Sequence, residues 1–181
     1  MKYNNNWLIN ISNEQTPLKF LFFWGHHPGK DGHPSKNCLS QWWVAPFEVD
    51  GIMYKTAEHW MMACKARLFN DEGVFQQIIA AATPGEAKEK GRAVSGFDPV
   101  IWDKEKINIV VTGNLHKFSK NQELATFLLN TGRRVIAEAS PVDSIWGIGL
   151  AADDPCIHDP QKWKGENLLG YALMEVRDRL K

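Results

Sequence analysis

Apolar and polar positions alternate along the chain in short blocks, and several of these blocks predict β-strands. Residues 20–24 form an apolar run of strand length, followed by a loop over 25–34 that is rich in Gly and Pro. Alternating apolar residues flank Asp-Gly at 50–51, a dipeptide that suits the tight turn between two strands, so a hairpin is predicted over 47–54. A further strand is predicted over 134–138.

Capping residues followed by apolar positions at helical spacing predict the helices. A hydroxyl or carboxylate before the first turn accepts hydrogen bonds from backbone N–H groups that have no partner inside the helix. Thr56, Thr83 with Pro84, and Asp98 with Pro99 stand at such starts. The predicted helices cover 56–69, 72–82, 83–92, 98–118, 123–131 (ended by Gly132) and 165–180, with a loop over 139–164.

The sum of these elements is a helix-dominated α+β fold with a few short strands. At 181 residues the chain suits one domain, since a domain typically has ~150 residues. We expect a single domain over 20–181 and a polar, loosely ordered segment over 1–19. Hydrophobic residues at 44% and charged residues at 23% exclude a wholly disordered chain and a coiled coil.

Charge and cysteine content narrow the partners and the compartment. The 21 Lys and Arg balance the 21 Asp and Glu, so no overall basic excess attracts nucleic acid or an anionic membrane, although a local basic pocket is compatible with this balance. No apolar run approaches ~18 residues, and the start lacks the apolar core of a signal peptide. Three widely spaced cysteines indicate thiols in a reducing compartment, so we expect a cytoplasmic protein.

Eight tryptophans in one chain of this length are an unusual number. In one interpretation, most of them pack in the core. In the other, some of them form the aromatic walls of a pocket for a planar ligand. His26, His27, His33 and Cys38 lie in one loop, but their spacing matches no familiar zinc motif. We predict no metal site and place these histidines at the surface or at the rim of a pocket.

The helix that starts at Thr56 carries a carboxylate and an amine on one face. Glu58 and Lys65 are seven positions apart, which returns to within ~20° of the same direction after two turns. A solvated surface face, with Glu58 placed to suit the helix dipole, is one interpretation. The other is a buried functional pair, in which Glu58 acts as acid or base and a desolvated Lys65 becomes a nucleophile.

Three further positions have a structural and a functional interpretation. Asp143, followed by Trp146 and Gly-x-Gly at 147–149, fits a capped turn or a ligand-binding loop. Asn167 can cap the last helix or direct its amide at a ligand near the positive helix end. Arg92 can complement a helix C-terminus or contact a phosphate.

Taken in order, these segments resemble the NADAR family of YbiA-like N-glycosidases. The resemblance covers roughly residues 20–180. Many bacterial members carry Phe-Ser-Asn-Phe before the hairpin, where this chain has Leu-Ser-Gln-Trp at 39–42 after a longer loop. That difference resembles a larger-loop branch of the family. The matching segments are Thr-Ala-Glu-His-Trp at 56–60 with Lys65, then 87–88, 91–92, Trp102, 114–115, 117–118, 128–132, 138–140, Asp143 with 146–149, and 167–177.

The resemblance implies cleavage of a C–N bond at the anomeric carbon of a phosphorylated ribose. One activity of the family hydrolyses phosphoribosylamino-pyrimidine intermediates of riboflavin synthesis, and another removes ADP-ribose from guanine. It implies no cofactor and no metal. The expected partner is a small phosphoribosyl or ADP-ribosyl molecule, or an ADP-ribosylated guanine in single-stranded DNA, extruded into the pocket.

By matching positions, the resemblance also implies roles for individual residues. Glu58 would be the general acid or base, Asp143 the second carboxylate, and Lys65 either a Schiff-base nucleophile or a charged partner of Glu58 or phosphate. Two alternatives from other classes are a non-catalytic ADP-ribose or nucleotide-binding module, and a structural protein whose tryptophans all lie in the core. The implied substrate-binding residues are Ser40, Trp42, Arg92, Trp102, Trp146, Gly147 and Asn167.

Overall fold

The structure is a computed structural model that describes residues 1–13, 17–29 and 33–181. Within these residues it is helix-rich with few short strands, which confirms the predicted α+β class. The helices are α1 (Asn5–Ser12), α2 (Ala57–Leu68), α3 (Glu72–Ala80), α4 (Pro84–Arg92), α5 (Pro99–Ser119), α6 (Gln122–Asn130) and α7 (Leu168–Arg179). The strands are β1 (Phe20–Phe23), β2 (Phe47–Val49), β3 (Ile52–Tyr54) and β4 (Val135–Glu138), and two short 3-10 helices cover Lys36–Leu39 and Pro160–Lys162.

The chain divides into two compact units, which we call the terminal unit (1–40 with 123–181) and the middle unit (41–122). The single domain over 20–181 remains a prediction. No helix in the described part of the chain is long and apolar enough to cross a membrane.

The terminal unit is built on a parallel pair of strands that are far apart in sequence. Phe20 pairs with Val135 and Phe23 with Glu138. Helix α7 packs against β4, and nine of its twelve residues are buried. A small core continues past β4 into the following loop; its buried members are Ala137, Ala139, Ile148, Leu150 and Ile157.

The first residues have more structure than their polar composition suggests. The prediction was a loosely ordered segment over 1–19, but 5–12 form α1, and Leu8 is fully buried. The Asn4 side chain caps this helix by accepting a hydrogen bond from Trp7 N at 2.8 Å. Asn5 Oδ1 accepts one from Tyr171 OH at 2.8 Å. Asn4 and Asn5 of this polar segment therefore provide a helix cap and a tertiary contact.

The middle unit starts with the predicted hairpin. Strands β2 and β3 are antiparallel, and Asp50 and Gly51 have φ of 51° and 75°, as a tight two-residue turn requires. The three predicted caps are confirmed, because Thr56, Thr83 and Asp98 each accept a hydrogen bond from the first turn of their helix. Helix α2 packs against α3, α4 and α5.

Two glycines allow helices to approach α2 closely. A Cβ at Gly113 of α5 would lie 2.2 Å from Trp60 Cδ1, and a Cβ at Gly91 of α4 would lie 2.1 Å from Met62 Sδ. The indole of Trp60 also donates a hydrogen bond to Ile109 O at 2.9 Å, which fixes the ring against α5. The position of α2 thus depends on the absence of side chains at both glycines.

Helix α7 begins three residues later than predicted. Asn167, which precedes it, has φ +54°, and such a left-handed residue cannot belong to an α-helix. The predicted start at Gly165 therefore belongs to the preceding loop.

We predict that Gly113→Ala lowers the free energy of unfolding by about 2 kcal/mol, because the added methyl must displace the fixed Trp60 ring. The matched control is Gly73→Ala in α3, where the nearest atom to a new Cβ is Asp71 Oδ1 at 3.7 Å. This control should be neutral or slightly stabilising, since Ala favours helix over Gly. Urea unfolding of both variants measures the difference, and equal effects would contradict the packing argument.

Candidate functional site

The predicted site residues belong to both units, and we describe each group by itself. The middle unit holds Trp42, Glu58, Lys65, Arg92 and Trp102. The terminal unit holds Ser40, Asp143, Trp146, Gly147 and Asn167.

Lys65 lies in a half-buried, aromatic environment. Its Nζ donates a hydrogen bond to Gly91 O at 2.8 Å. It lies 4.2 Å from the centre of the Phe97 ring and 5.8 Å from that of Trp102. Burial lowers the pKa of Lys65, because the carbonyl and the two rings stabilise its positive charge less well than water does. The amine is thus more easily deprotonated than that of an exposed lysine.

Glu58 is buried in the first turn of α2 and is only 3% exposed. The interpretation of this helix face as solvated is therefore wrong for Glu58. The described residues place no carboxylate within salt-bridge distance of Lys65 Nζ, so Glu58 and Lys65 do not form a direct ion pair. The Lys65 amine is held instead by the Gly91 carbonyl.

A pair of buried amides fixes the backbone next to Glu58, and the sequence did not predict this. Gln41 O accepts a hydrogen bond from Glu58 N at 3.0 Å. The Gln41 side chain is held in turn by Asn114, whose Nδ2 donates to Gln41 Oε1 at 2.7 Å and to Val110 O at 2.9 Å. The sequence contains one sign of this contact, which is the polar Asn114 among the apolar positions of α5.

His59, the next residue, has a structural role in α2. Its Nε2 donates to Ala81 O, 3.2 Å away, because a carbonyl can only accept. Nδ1 of a neutral ring then accepts from the Thr56 hydroxyl at 2.8 Å. Burial lowers the pKa of His59, which favours this neutral tautomer.

The other predicted residues of the middle unit differ in exposure. Trp42 and Trp102 are half-buried, and Trp102 contributes one of the rings at Lys65. Arg92 is exposed at the last position of α4, where its charge suits the helix C-terminus.

In the terminal unit, Asp143 forms the capped turn that the sequence offered as one interpretation. Its Oδ1 accepts hydrogen bonds from Ile145 N at 2.9 Å and Trp146 N at 2.8 Å. Trp146 is half-buried in this turn. Gly147 packs tightly, since a Cβ there would lie 2.9 Å from Asp143 O. The glycine therefore permits close contact within the loop itself.

The start of α7 is occupied by this loop. The N–H groups of Glu166, Asn167, Leu168 and Leu169 donate to the carbonyls of residues 144, 147, 145 and 146, at 2.9 to 3.2 Å. These backbone donors are the ones that an anion at a helix N-terminus would use. In this structure the loop carbonyls occupy the position where such an anion would bind.

Asn167 is fully buried, with both polar atoms of its amide in use. Its Oδ1 accepts from Glu138 N at 3.1 Å, and its Nδ2 donates to Ile136 O at 3.0 Å. The side chain does not cap α7. It links the helix start to β4, and it presents no surface to a substrate here. Ser40, the last residue of this group, is buried at the end of a 3-10 helix.

The described residues contain no group of three or more His, Cys, Asp or Glu side chains placed to hold a metal ion. The rings of His26 and His27 lie 4.3 Å apart, and part of their loop lies outside the described residues.

The fold is shared with a solved structure. The NMR structure of the Escherichia coli protein YbiA has a TM-score of 0.72 and 27% identity, and the match covers 95% of this chain and 90% of that chain. Residues 22–181 match the model of the NADAR domain. The chain therefore belongs to the NADAR family, which confirms the resemblance seen in the sequence.

Several curated relatives carry the name of an enzyme. "N-glycosidase R617" of Acanthamoeba polyphaga mimivirus is 42% identical over 165 residues, covering 88% of this chain and 95% of that protein. "N-glycosidase YbiA" of Escherichia coli is 32% identical over 135 residues, covering 75% and 76%. "Protein irg-1" of Caenorhabditis elegans is 33% identical over 181 residues, covering 95% and 84%.

Asn167→Asp tests the link between α7 and β4. The substitution keeps one acceptor for Glu138 N but places a second oxygen against Ile136 O inside a fully buried site. We expect a loss of about 3 kcal/mol in the free energy of unfolding. Chemical denaturation provides the measurement, with Asn121→Asp, a half-buried position in the chain between α5 and α6, as control. A loss no larger than that of the control would contradict the role of Asn167.

His59 predicts a pH dependence of stability. Its folded-state pKa lies below the usual 6.5, so the unfolded chain binds the proton more readily and stability falls as pH drops below about 6.5. His59→Gln should flatten the curve of unfolding free energy against pH between about 7 and 5, whereas His158→Gln at an exposed position should leave it unchanged. An unaltered slope in His59→Gln would contradict the buried neutral tautomer.

Proposed function

We propose that this chain hydrolyses the C–N bond between a phosphorylated ribose and the amino group of a base-like leaving group. That it is an enzyme, a hydrolase acting on N-glycosyl bonds, follows from its family and from the N-glycosidases among its relatives. The proposal rests mainly on Lys65, an amine with lowered pKa held between aromatic rings, two turns from a buried glutamate.

Lys65 has the features of a nucleophilic lysine. Attack on carbon requires the neutral amine, and burial increases its share at a given pH. The Gly91 carbonyl accepts one N–H and leaves the lone pair of the neutral amine available. Phe97, which is 43% exposed, and the half-buried Trp102 give the amine an aromatic surround that is partly open to solvent. A planar leaving group can stack on such rings.

Glu58 is proposed as the general acid and base. It is buried on the same helix, and the Gln41 and Asn114 amides hold its backbone in place. A protonated Glu58 would donate its proton to the leaving nitrogen as the C–N bond breaks. The resulting carboxylate would then take a proton from the attacking water. This exchange leaves the enzyme unchanged and consumes one water for each bond cleaved.

In the terminal unit, Asp143 is proposed, by its matching position, as the second carboxylate of the reaction. Asp143 Oδ1 is engaged in its turn, and no hydrogen bond to Oδ2 is formed within the described residues. A carboxylate oxygen of this kind can stabilise positive charge that develops on the sugar. Trp146 would contact the ribose or the base.

Two routes are consistent with these roles. In direct hydrolysis, water adds to the anomeric carbon after the amine has left. In the covalent route, Lys65 displaces the amine to form a Schiff base with the opened sugar, and water then releases Lys65 and the sugar aldehyde. Both give the same products, a phosphorylated ribose and a free amine.

For the substrate we propose either a phosphoribosylamino-pyrimidine intermediate of riboflavin synthesis or an ADP-ribosylated guanine. Both combine a phosphorylated ribose, an exocyclic N-glycosidic bond and a planar base. The zero net charge suits a small molecule or an extruded single base better than a duplex. The three cysteines of this chain form no disulfide among the described residues, in keeping with the proposed cytoplasmic location.

Turnover of both substrates by the purified chain tests this proposal. Glu58→Gln keeps the size of the side chain and removes its titratable proton, so we expect kcat to fall by about 100-fold or more. Lys65→Met should abolish the covalent route. Release of ribose 5-phosphate or of ADP-ribose identifies the substrate. Binding of either substrate without turnover by a folded wild-type chain would instead indicate a non-catalytic module.

Reduction by borohydride distinguishes the two routes. A Schiff base at Lys65 would be trapped as a covalent adduct that increases the mass of the chain by that of the reduced sugar phosphate less one water. Lys55→Met is the matched control, because the Lys55 amine donates to backbone carbonyls outside the proposed site. Full turnover by Lys65→Met with no adduct in the wild type would exclude the covalent route and leave direct hydrolysis by Glu58.

A further inference from the structure

A second feature, confined to the terminal unit, is a cavity of about 790 Å³. Its walls come from α1, the segment 17–19, the turn between α6 and β4, and the end of α7. None of the predicted site residues lines it. The volume lies within the range of small-molecule sites, ~300–1,000 Å³.

The charge of this cavity is strongly one-sided. Its lining contains one carboxylate, Asp178, and six cationic side chains, which are Lys2, Lys19, Arg133, Arg134, Arg177 and Lys181. In a chain with no net charge, such an excess marks a local basic pocket.

The single carboxylate is already engaged. Asp178 Oδ2 accepts from Tyr3 OH at 2.6 Å and from Lys2 Nζ at 3.0 Å, and Oδ1 accepts from Lys181 Nζ at 3.1 Å. Burial would raise the pKa of Asp178, but these hydrogen bonds outweigh it and lower the pKa. Asp178 is therefore ionised and can offset only part of the surrounding positive charge.

Four cations of the cavity take part in no salt bridge within the described residues. Among the described residues, Lys19, Arg133, Arg134 and Arg177 form no ion pair. Arg177 is the most constrained of them, at 3% exposed. Unpaired cations that line one concave surface favour binding of an anion.

Arg177 fixes the turn that carries two of these arginines. Its Nη1 donates to Thr131 Oγ1 and to Arg134 O, each at 2.9 Å. Its Nε is buried and has no hydrogen-bond partner in the described part of the chain. Burial lowers the pKa of Arg177, but a guanidinium stays protonated at neutral pH, so its charge adds to the field in the cavity.

The cavity also has an aromatic wall. Trp7 of α1 is half-buried and packs edge-on against Tyr3, with ring centres 4.7 Å apart and an angle of 75°. Guanidinium groups suit phosphate oxygens, and an indole face suits the apolar part of a ligand. From this combination we propose that the terminal unit binds a small phosphorylated ligand in this cavity, at a site separate from the residues proposed for catalysis.

Binding measured by calorimetry tests the proposal independently of turnover. Pyrophosphate, ribose 5-phosphate and ADP are the probes, and adenosine shows what the ring contributes without phosphate. The test variant combines Lys19→Gln, Arg133→Gln and Arg134→Gln, all at exposed positions. Its matched control combines Lys36→Gln, Lys164→Gln and Arg179→Gln, which are exposed positions of the same unit outside the cavity.

We expect the cavity variant to bind the phosphorylated probes about tenfold more weakly or worse, because it loses three charge-assisted contacts. The control should bind like the wild type, and adenosine should not bind measurably. Trp7→Leu should weaken ADP more than pyrophosphate if the ring stacks on the indole. Amide shifts over 2–11, 130–134 and 177 should identify the bound site by NMR.

Three results would overturn the proposal. One is no binding of any phosphorylated probe by the wild type, and another is an equal loss in cavity variant and control. The third is a single-stranded oligonucleotide that binds through the same residues more tightly than ADP, which would make the surface a nucleic-acid contact. Loss of turnover in Glu58→Gln with unchanged cavity binding would keep the two sites distinct.

Discussion

A buried polar group costs free energy unless it is hydrogen-bonded, and this constraint shapes the terminal unit. The first N–H groups of α7 would be left without partners at the helix start, and the carbonyls of 144–147 accept from them. The loop can reach that position only because Gly147 and Gly165 permit backbone contact that a Cβ would prevent. Asn167 completes the arrangement by bonding to an N–H and a C=O group on one edge of the β4 backbone.

The same constraint positions the chemistry of the middle unit. Asn114 donates a hydrogen bond to the Gln41 side chain inside the core, and the Gln41 carbonyl accepts one from the backbone N–H of Glu58. The Lys65 amine donates a hydrogen bond to the carbonyl of Gly91 in α4, and the missing side chain of this glycine allows α2 and α4 to approach each other. A carboxylate and an amine on one helix, supported by neighbours that are themselves fixed, suit the precision that the proposed reaction at one carbon atom would require.

Charge in this chain is balanced in total but uneven in space. A count of 21 acidic and 21 basic residues describes only the sum. The terminal unit places six of the basic side chains around one cavity and offsets them with a single carboxylate. Basic residues near both chain ends and in the turn before β4 come together there, which no composition or local spacing indicates.

Local elements followed from the sequence alone. The caps at Thr56, Thr83 and Asp98 and the Asp-Gly turn depend on residues close in sequence, as does the apolar pattern of β1 and β4. Local patterns were therefore sufficient to predict these elements. The family was also readable, because its motifs are ordered along the chain. Contacts between distant residues were not readable: the parallel pairing of β1 with β4, the burial of Leu8, and the hydrogen bonds of Asn167 and Asn114. Local propensity and spacing carry no information on which distant groups satisfy one another, so only the tertiary structure decided these.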